Sequence, residues 1–559
     1  MSRTPAVAPT NFRQEGQHMV CCSGKQFLMM ALLAALGGNL QAAQIKGPST
    51  QQTPYVVGTA PGVKVVSIAS NGNGTTTPNE TYGGYRLVGI PDGAGAWDNG
   101  NGTFTMLVGH ELPATAGVVR AHGSAGAFVS KWVINSSDLS VVSGSDLISQ
   151  TYVWNTTSQN YVQQTTAFTR FCSADLPSQS AFFNAASGLG TTEKLFLTGE
   201  ETGNAGASQP YGRVFAAQAS GSDAGKAWQL AELGRIPWEN ALASPHAQDQ
   251  TIVMGTDDGG RTFTSEGGGD PSQLYVYVGQ KTNSGLAIDK AGLTNGQLHG
   301  LKVAGRLNED QIVNGDRFTL FDYSTDISDD TTGFALEAEN VANGVTEFRR
   351  VEDGVWDPIN KDVFYFLTTD TTTPAGGRSQ LWKVTFDDIT NPQAGGTIEA
   401  LLEGTEGAEM LDNMTAVANG SHTQLIMQED VGNNSRLSRH WLYNVSDDSL
   451  LEIATFDSAR FGEGPTNGAL TTPVTAPFTR DEEASGIIPA PWLGEGWFLG
   501  TVQAHYNISG ELVQGGQLYA MYVPQTVPEP STWVLLSLGA VAVGLNQRRR
   551  TLQSSRTEK

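Results

Sequence analysis

An all-β fold, a propeller of about six blades with an acidic axial site, is what this sequence predicts, and three observations predict it. Composition is the first: 66 of 559 residues are Gly and only 16% are charged. Helical bundles and coiled coils need more Glu, Lys, Ala and Leu than that, whereas short strands joined by tight turns are rich in Gly, Thr, Ser and Asn. The second is periodicity. Residues 44–526 hold many short apolar runs and no long 3.6-residue pattern, in about six strand-rich segments of roughly 70–80 residues. The third is that several of these runs end in carboxylates. Acidic residues outnumber basic ones 56 to 33, for a net charge of −23. No basic surplus exists to neutralise phosphates, so partners such as nucleic acid are excluded, as is binding to an anionic membrane surface.

The ends do not belong to the fold. Lys25 precedes an apolar run, Phe27 to Leu36, and small residues follow up to Ala43. A positive residue, a short apolar stretch and small residues are the three parts of a secretory signal, so residues 1–43 read as signal peptide and leader. Residues 1–18 fit no part of it, which places the expected true start at Met19. Cys21 and Cys22 leave with this leader and precede the apolar run, so they are not a lipoprotein site. Cys172 is then the lone cysteine of the mature chain, either a buried bystander or a ligand. At the other end, Val527-Pro-Glu-Pro530 leads into the apolar run Trp533 to Leu545 and then Arg548, Arg549 and Arg550. In its three parts and their order this segment, residues 527–559, resembles the PEP-CTERM sorting tail. That resemblance implies export by the general secretion machinery and transient anchoring in the inner membrane through this tail alone, as a short transmembrane helix with a basic end. It also implies exosortase as a partner, and a final place at the cell surface, on the outer membrane or outside the cell.

Within residues 44–526, five apolar runs finish at matching places: at Glu111, at Glu200-Glu201, at Asp257-Asp258, at Asp370 and at Glu429-Asp430. Each alone is an ordinary solvated turn residue. In a propeller, equivalent strand ends of different blades converge on one face, and carboxylates gathered there repel one another unless cations sit among them. Hard oxygen donors favour Ca2+ or Mg2+. No CxxC, HExxH, Walker A or GxSxG pattern offers a competing chemistry. Asp92 to Asp98 loosely resembles a Ca2+ loop, lacks its ligand spacing and reads as a turn.

Taken together, the segments from about Asp92 to His505 resemble the PhoX-type alkaline phosphatase family, in its divergent secreted branch. The motifs that carry this are Phe104-Thr-Met-Leu-Val-Gly-His-Glu-Leu-Pro113, Arg170-Phe-Cys-Ser-Ala-Asp175, Leu197-Thr-Gly-Glu-Glu-Thr-Gly-Asn204 and Trp238-Glu-Asn240. Downstream come Gly255-Thr-Asp-Asp-Gly259, Arg349-Arg-Val-Glu-Asp353, Leu411-Asp-Asn-Met-Thr415, Gln428-Glu-Asp430 and Glu483-Ala-Ser-Gly486. Their colinear order is more specific than any one of them.

The resemblance implies a six-bladed propeller whose axial site binds Fe3+ and Ca2+, with a cysteine thiolate on iron, and an activity on phosphate-ester substrates. It implies Glu111, Cys172, Glu201, Asp258, Glu352 and Glu483 as metal ligands, with Glu200, Glu429 and Asp430 as further candidates. Arg350, two residues before Glu352, becomes a phosphate clamp, so that Arg350, Cys172 and Glu352 form the catalytic set. Asp412 and Asn413 are expected to fix loops around the ligands, and His110, Trp238, Asn240 and His246 are candidate polar contacts. The sequence departs from the family at Gly109, where an Asn is usual, at Val351, where a Pro is usual, and in residues 173–180. Two other readings stay open: a non-catalytic, calcium-stabilised surface or matrix propeller, and a lactonase- or phytase-like hydrolase that needs no cysteine.

Overall fold

The computed structural model describes residues 44–72, 80–203, 208–370, 379–432, 436–464 and 470–525. The leader and the sorting tail, with its expected membrane helix, lie outside them. Among the described residues no helix is long and apolar enough to cross a membrane.

Six blades, each with a four-stranded antiparallel core to which some add further strands, follow one another along the chain. Their inner strands are Pro91–Asp98, Phe171–Asp175, Trp238–Ala243, Val351–Trp356, Leu411–Asn419 and Glu482–Pro489. Each pairs with a second strand, which in the same order are Thr103–His110, Leu195–Glu200, Gln250–Asp257, Val363–Thr368, His422–Glu429 and Trp497–Asn507. Asp92 to Asp98, expected as a turn, is therefore the inner strand of blade 1. Blades 3 and 4 join edge to edge through the inserted strand Asp316–Asp322, and a helix, Phe334–Asn343, follows that insertion. The inner strand of blade 4 consequently starts much later than an even spacing would put it. The N-terminal strand Lys64–Ser70 supplies the fourth strand of blade 6, pairing antiparallel with Gln514–Tyr522 and closing the ring.

The second strands explain why the apolar runs were continuous. Phe104, Met106 and Val108 pack into a cluster with blade 6 (Leu518, Leu499), while Leu107 faces blade 2 and meets Phe196. Likewise Ile252 and Met254 face blade 4, and Val253 faces blade 2. Alternate residues of one strand thus serve two interfaces, and both sides must be apolar. Each neighbouring pair of blades shares one such cluster. Dispersion and burial between blades, not any single sheet, hold the ring together.

Near the axis the inner strands approach too closely for side chains of ordinary size. A Cβ on Gly93 would lie 2.2 Å from the Ala174 backbone nitrogen and 2.5 Å from the Ser173 carbonyl carbon. Gly93→Ala must push apart the strands that carry Asp92 and Cys172. We expect it to cost roughly 2–3 kcal/mol, read as an earlier urea midpoint at unchanged slope; an unchanged midpoint would mean the strands can spread freely.

Candidate metal centre

Two positions repeat in every blade. The first is the second residue of the inner strand: Asp92, Cys172, Glu239, Glu352 and Asp412 in blades 1 to 5, and Glu483 in blade 6. In blades 1 to 5 a break in the strand pairing spans this residue, which frees it to turn toward the axis; in blade 6 Glu483 stays paired with Gln503 and the break comes later, between Ser485 and Ile488. The second position is near the end of the second strand: Glu111, Glu201, Asp258 and Asp430 one residue past it, Asp370 two past it, and His505 two residues before it. A common backbone bond fixes it. The amides of Glu111, Glu201, Asp258, Asp430 and His505 donate to the carbonyls of Ile90, Arg170, Pro237, Met410 and Asp481, at 2.9 to 3.1 Å. In blade 4 this register moves by one residue, and Thr369 makes the bond to Arg350.

These positions gather into four groups, each with ligand atoms within 4.8 Å of one another. They are Asp92, Glu111 and Cys172; Cys172, Glu201 and Glu239; Glu239, Asp258 and Glu352; and Asp412, Asp430 and Glu483. Cys172 and Glu239 each belong to two groups. Cys172 is buried beside Asp92, with its thiol donating to Asp92 Oδ2 at 3.5 Å. Gln503 stitches blades 1 and 6 from the side, its Nε2 donating to Asp92 Oδ2 (2.8 Å), Glu111 Oε2 (3.1 Å) and Glu483 Oε1 (2.8 Å).

Three cationic groups stand over this ring. Arg170 Nη2 meets Glu111 Oε1 at 2.8 Å and also contacts Glu201. Arg350 grips Asp258 with two bonds, Nε to Oδ1 at 2.8 Å and Nη2 to Oδ2 at 2.7 Å, and reaches Glu352 at 3.1 Å. Both arginines sit immediately before an inner strand with left-handed backbone, φ 44° and 62°. That conformation is costly for a non-glycine residue and recurs at functional sites. His505 Nε2 lies 3.7 Å from Glu483. Burial pulls its pKa down, but the Glu483 carboxylate outweighs it and raises it to about 10.

Three cations do not balance nine carboxylates. Burial, with repulsion from Asp258, pushes Glu239 up to about 8. Burial and the Glu483 charge push Asp430 up to about 7. Asp92, Glu201, Glu352 and Asp412 are likewise raised, by burial first and neighbouring carboxylates next. The Cys172 thiol is raised by burial and the Asp92 charge. Asp92 Oδ1 and Glu239 Oε1 are buried without any hydrogen-bond partner. Buried carboxylate oxygens left bare among like charges are a donor set that divalent or trivalent cations would satisfy. Oxygen donors around one thiolate fit both hard calcium and ferric iron.

Of the residues singled out from sequence, Glu111, Cys172, Glu201, Asp258, Glu352, Asp430 and Glu483 come together here, with Arg350 among them. Glu200 and Glu429 do not. Each faces the opposite side of its strand from its neighbour. Glu200 binds Arg213 with two bonds (2.7 and 2.9 Å), and Glu429 binds Arg436 and Trp441 Nε1, both at 2.7 Å. Asp412, expected to fix a loop, stands in the ring itself. His110 is a core residue stacked on Phe128 at 4.3 Å, and burial lowers its pKa to about 3. Trp238 is buried between blades 2 and 3. Asn240 and His246 line a separate cavity of about 500 Å³ further along the inner strands. Sequence reading passed over Asp92, Glu239, Arg170, Gln503 and His505. The available signal was the acid or thiol two residues into each inner strand.

Of solved structures, PhoX of Pseudomonas fluorescens in complex with vanadate, a transition state analogue, matches over 86% of this chain and 97% of its own. The TM-score is 0.55 and the identity 12%. The fold is that of PhoX. The α-L-arabinofuranosidase Arb93a of Fusarium graminearum matches more loosely, at TM-score 0.36 and 8% identity over 78% of this chain and 93% of its own. Bombyx mori β-fructofuranosidase BmSUC1 gives 0.32 and 8%, over 78% and 89%. No curated protein matches the sequence. Residues 526–550 match the PEP-CTERM protein-sorting motif, which marks an exported protein with a membrane-associated sorting step.

Proposed function

We propose that this chain is an exported, metal-dependent phosphatase acting on phosphate monoesters. The observation that carries this reading is the pair of arginines, Arg170 and Arg350, standing over a ring of nine carboxylates and one thiol. Its support is the shared fold with PhoX, whose structure holds vanadate, a transition state analogue. Cys172 with Asp92 and Glu111, or with Glu201 and Glu239, would hold iron. Glu239, Asp258 and Glu352, and Asp412, Asp430 and Glu483, would hold calcium. Such ions, when bound, supply Lewis-acid polarisation of phosphoryl oxygens and activation of an oxygen nucleophile.

The protein's own part is positioning. A cavity of about 360 Å³ opens beside the ring, with Arg170, Glu201, Asp258 and Tyr211 in its wall. A guanidinium presents parallel N–H donors that match two phosphate oxygens. Arg170 is placed to take the phosphoryl group in this cavity, and its Nε bond to the Glu201 carbonyl, 3.0 Å, fixes the plane of the fork. Both arginines are tied to two carboxylates, but Arg170 is the more exposed, 44% against 29%, and lines the cavity; Arg350 would orient Asp258 and Glu352.

The test is elemental analysis and p-nitrophenyl phosphate hydrolysis on the same samples of wild type, Cys172→Ala and Arg170→Ala. We expect iron and calcium with activity in wild type, and loss of iron and activity in Cys172→Ala. Arg170→Ala should keep both metals while kcat/KM falls about 100-fold. Calcium without iron, and no hydrolysis by wild type, would overturn the reading in favour of a non-catalytic calcium-stabilised propeller.

A further inference from the structure

Blade 3 carries a second acidic pocket, which shares Tyr211, Gly259 and Asp270 with the wall of the cavity beside the axial ring. Asp257 and Asp258 are consecutive, so their side chains leave opposite sides of the strand. Asp258 joins the axial ring. Asp257 instead lines a small cavity closed by Asp270, Tyr211, Tyr275 and, from the inserted helix Phe334–Asn343, Glu337.

Three facts about this cavity belong together. Asp257 is 2% exposed, and its Oδ1 has no hydrogen-bond partner. Its Oδ2 accepts only a long bond, 3.4 Å, from the Gln273 amide. Glu337 Oε1 is also buried and unpartnered. Finally, a Cβ on Gly259 would lie 3.2 Å from Asp257 Oδ1, 3.2 Å from the Asp270 carbonyl oxygen and 3.3 Å from that of Pro271. Three oxygens therefore converge on space that glycine leaves open. The strongest charges acting on Asp257 are those of Glu337, Asp258 and Asp270, all negative.

A buried carboxylate oxygen without a partner is costly, and one ringed by other acids is more so. Carboxylate and backbone carbonyl oxygens are the donors of calcium sites, where irregular geometry is tolerated. The converging atoms include no nitrogen or sulfur, which disfavours zinc and iron. We propose that this pocket is a Ca2+ site separate from the axial centre, held by Asp257 and the carbonyls of Asp270 and Pro271, with Glu337 completing the charge from the inserted helix. Its role is to fasten the 258–273 loop and the helix to blade 3. Asp258, Gly259 and Gly260, which this ion would steady, also wall the cavity beside the axial ring. The inference does not rest on the phosphatase reading.

Terbium tests it in the full-length protein, because Tyr211 and Tyr275 line the pocket and sensitise bound Tb3+ when excited. Wild type should show tyrosine-sensitised emission that Ca2+ displaces. Asp257→Asn should lose one equivalent of bound ion and weaken binding at least about tenfold. Gly259→Ala, whose methyl group fills the convergence point while every carboxylate stays, should do the same. The axial variant Glu239→Gln should keep this emission, which separates the two sites. Wild-type stoichiometry in Gly259→Ala, or loss of this emission only in Glu239→Gln, would overturn the proposal, and Gly259→Ala decides the matter if Asp257→Asn does not fold.

Discussion

Stripped of bound cations by a chelator, the protein is expected to lose stability as pH rises from 5 to 9. The sign follows from the direction of the shifts. Glu239 at about 8 and Asp430 at about 7 hold protons in the folded ring that they release in the unfolded chain. A group whose folded pKa is raised contributes stability that is fully present below its unfolded value and is lost as pH climbs through the folded one. The window is therefore about pH 4.5 to 8 for these two, and Asp92, Glu201, Glu352 and Asp412 extend it upward. Thermal melts of the chelated protein at pH 5 and pH 8 should differ by about 5–10 °C, with the higher Tm at pH 5. Adding Ca2+ should raise Tm more at pH 8 than at pH 5, since cations replace the protons that neutralise the ring. A chelated protein that is more stable at pH 8 would mean the carboxylates are balanced by the arginines alone.

The second large effect separates two glutamates that look alike in sequence. Glu429→Gln takes from the half-buried Arg436 its close charge partner, leaving only Glu409 at 3.7 Å, and weakens the acceptors of Trp441 Nε1 and the Glu409 and Arg439 amides. Breaking a fully buried ion pair from one side costs roughly 3–5 kcal/mol; with Arg436 half-buried and Glu409 still near it the loss falls toward the lower end of that range, so the urea midpoint should fall while metal content per folded molecule is unchanged. Glu239→Gln should behave in reverse. Glu239 belongs to two of the four ligand groups, and its loss removes a repelled carboxylate from the chelated protein. Stability without metal should hold or rise, while bound metal falls by at least one equivalent. Metal loss in Glu429→Gln would return that residue to the ligand set.

The contrast also explains what the sequence made legible. Second strands are wedged between two blades, so they read as continuous apolar runs, and the acids that end them stood out: Glu111, Glu201, Asp258 and Asp430. Inner strands face the axis, where space is short and polar. Their sequences, such as Pro91-Asp-Gly-Ala-Gly-Ala96 and Phe171-Cys-Ser-Ala-Asp175, have no hydrophobic alternation to read. Asp92 therefore reads as a turn residue, and Glu239, although inside the motif Trp238-Glu-Asn240, ends no apolar run that would mark it as a ligand. Pairs of adjacent acids were legible as pairs only. Which member faces the axis depends on strand register, and register is not visible in Glu200-Glu201 or Glu429-Asp430. The repeat itself was hidden because the inserted strand and helix before blade 4 break its spacing.

The closing pair of blade 6 joins Lys64–Ser70 to Gln514–Tyr522, strands from opposite ends of the chain. A polypeptide exported N-terminus first carries the early strand across long before its partner follows. Until the partner arrives, blade 6 lacks its third strand, and the 64–70 segment, which that strand joins to the blade, has an unpaired edge able to join a neighbouring chain. The contact that completes the ring is also the one of longest sequence separation, and such contacts form slowly. Only a few residues separate Tyr522 from the sorting motif that begins at 526. Ring closure and sorting at the membrane thus draw on the same last stretch of chain.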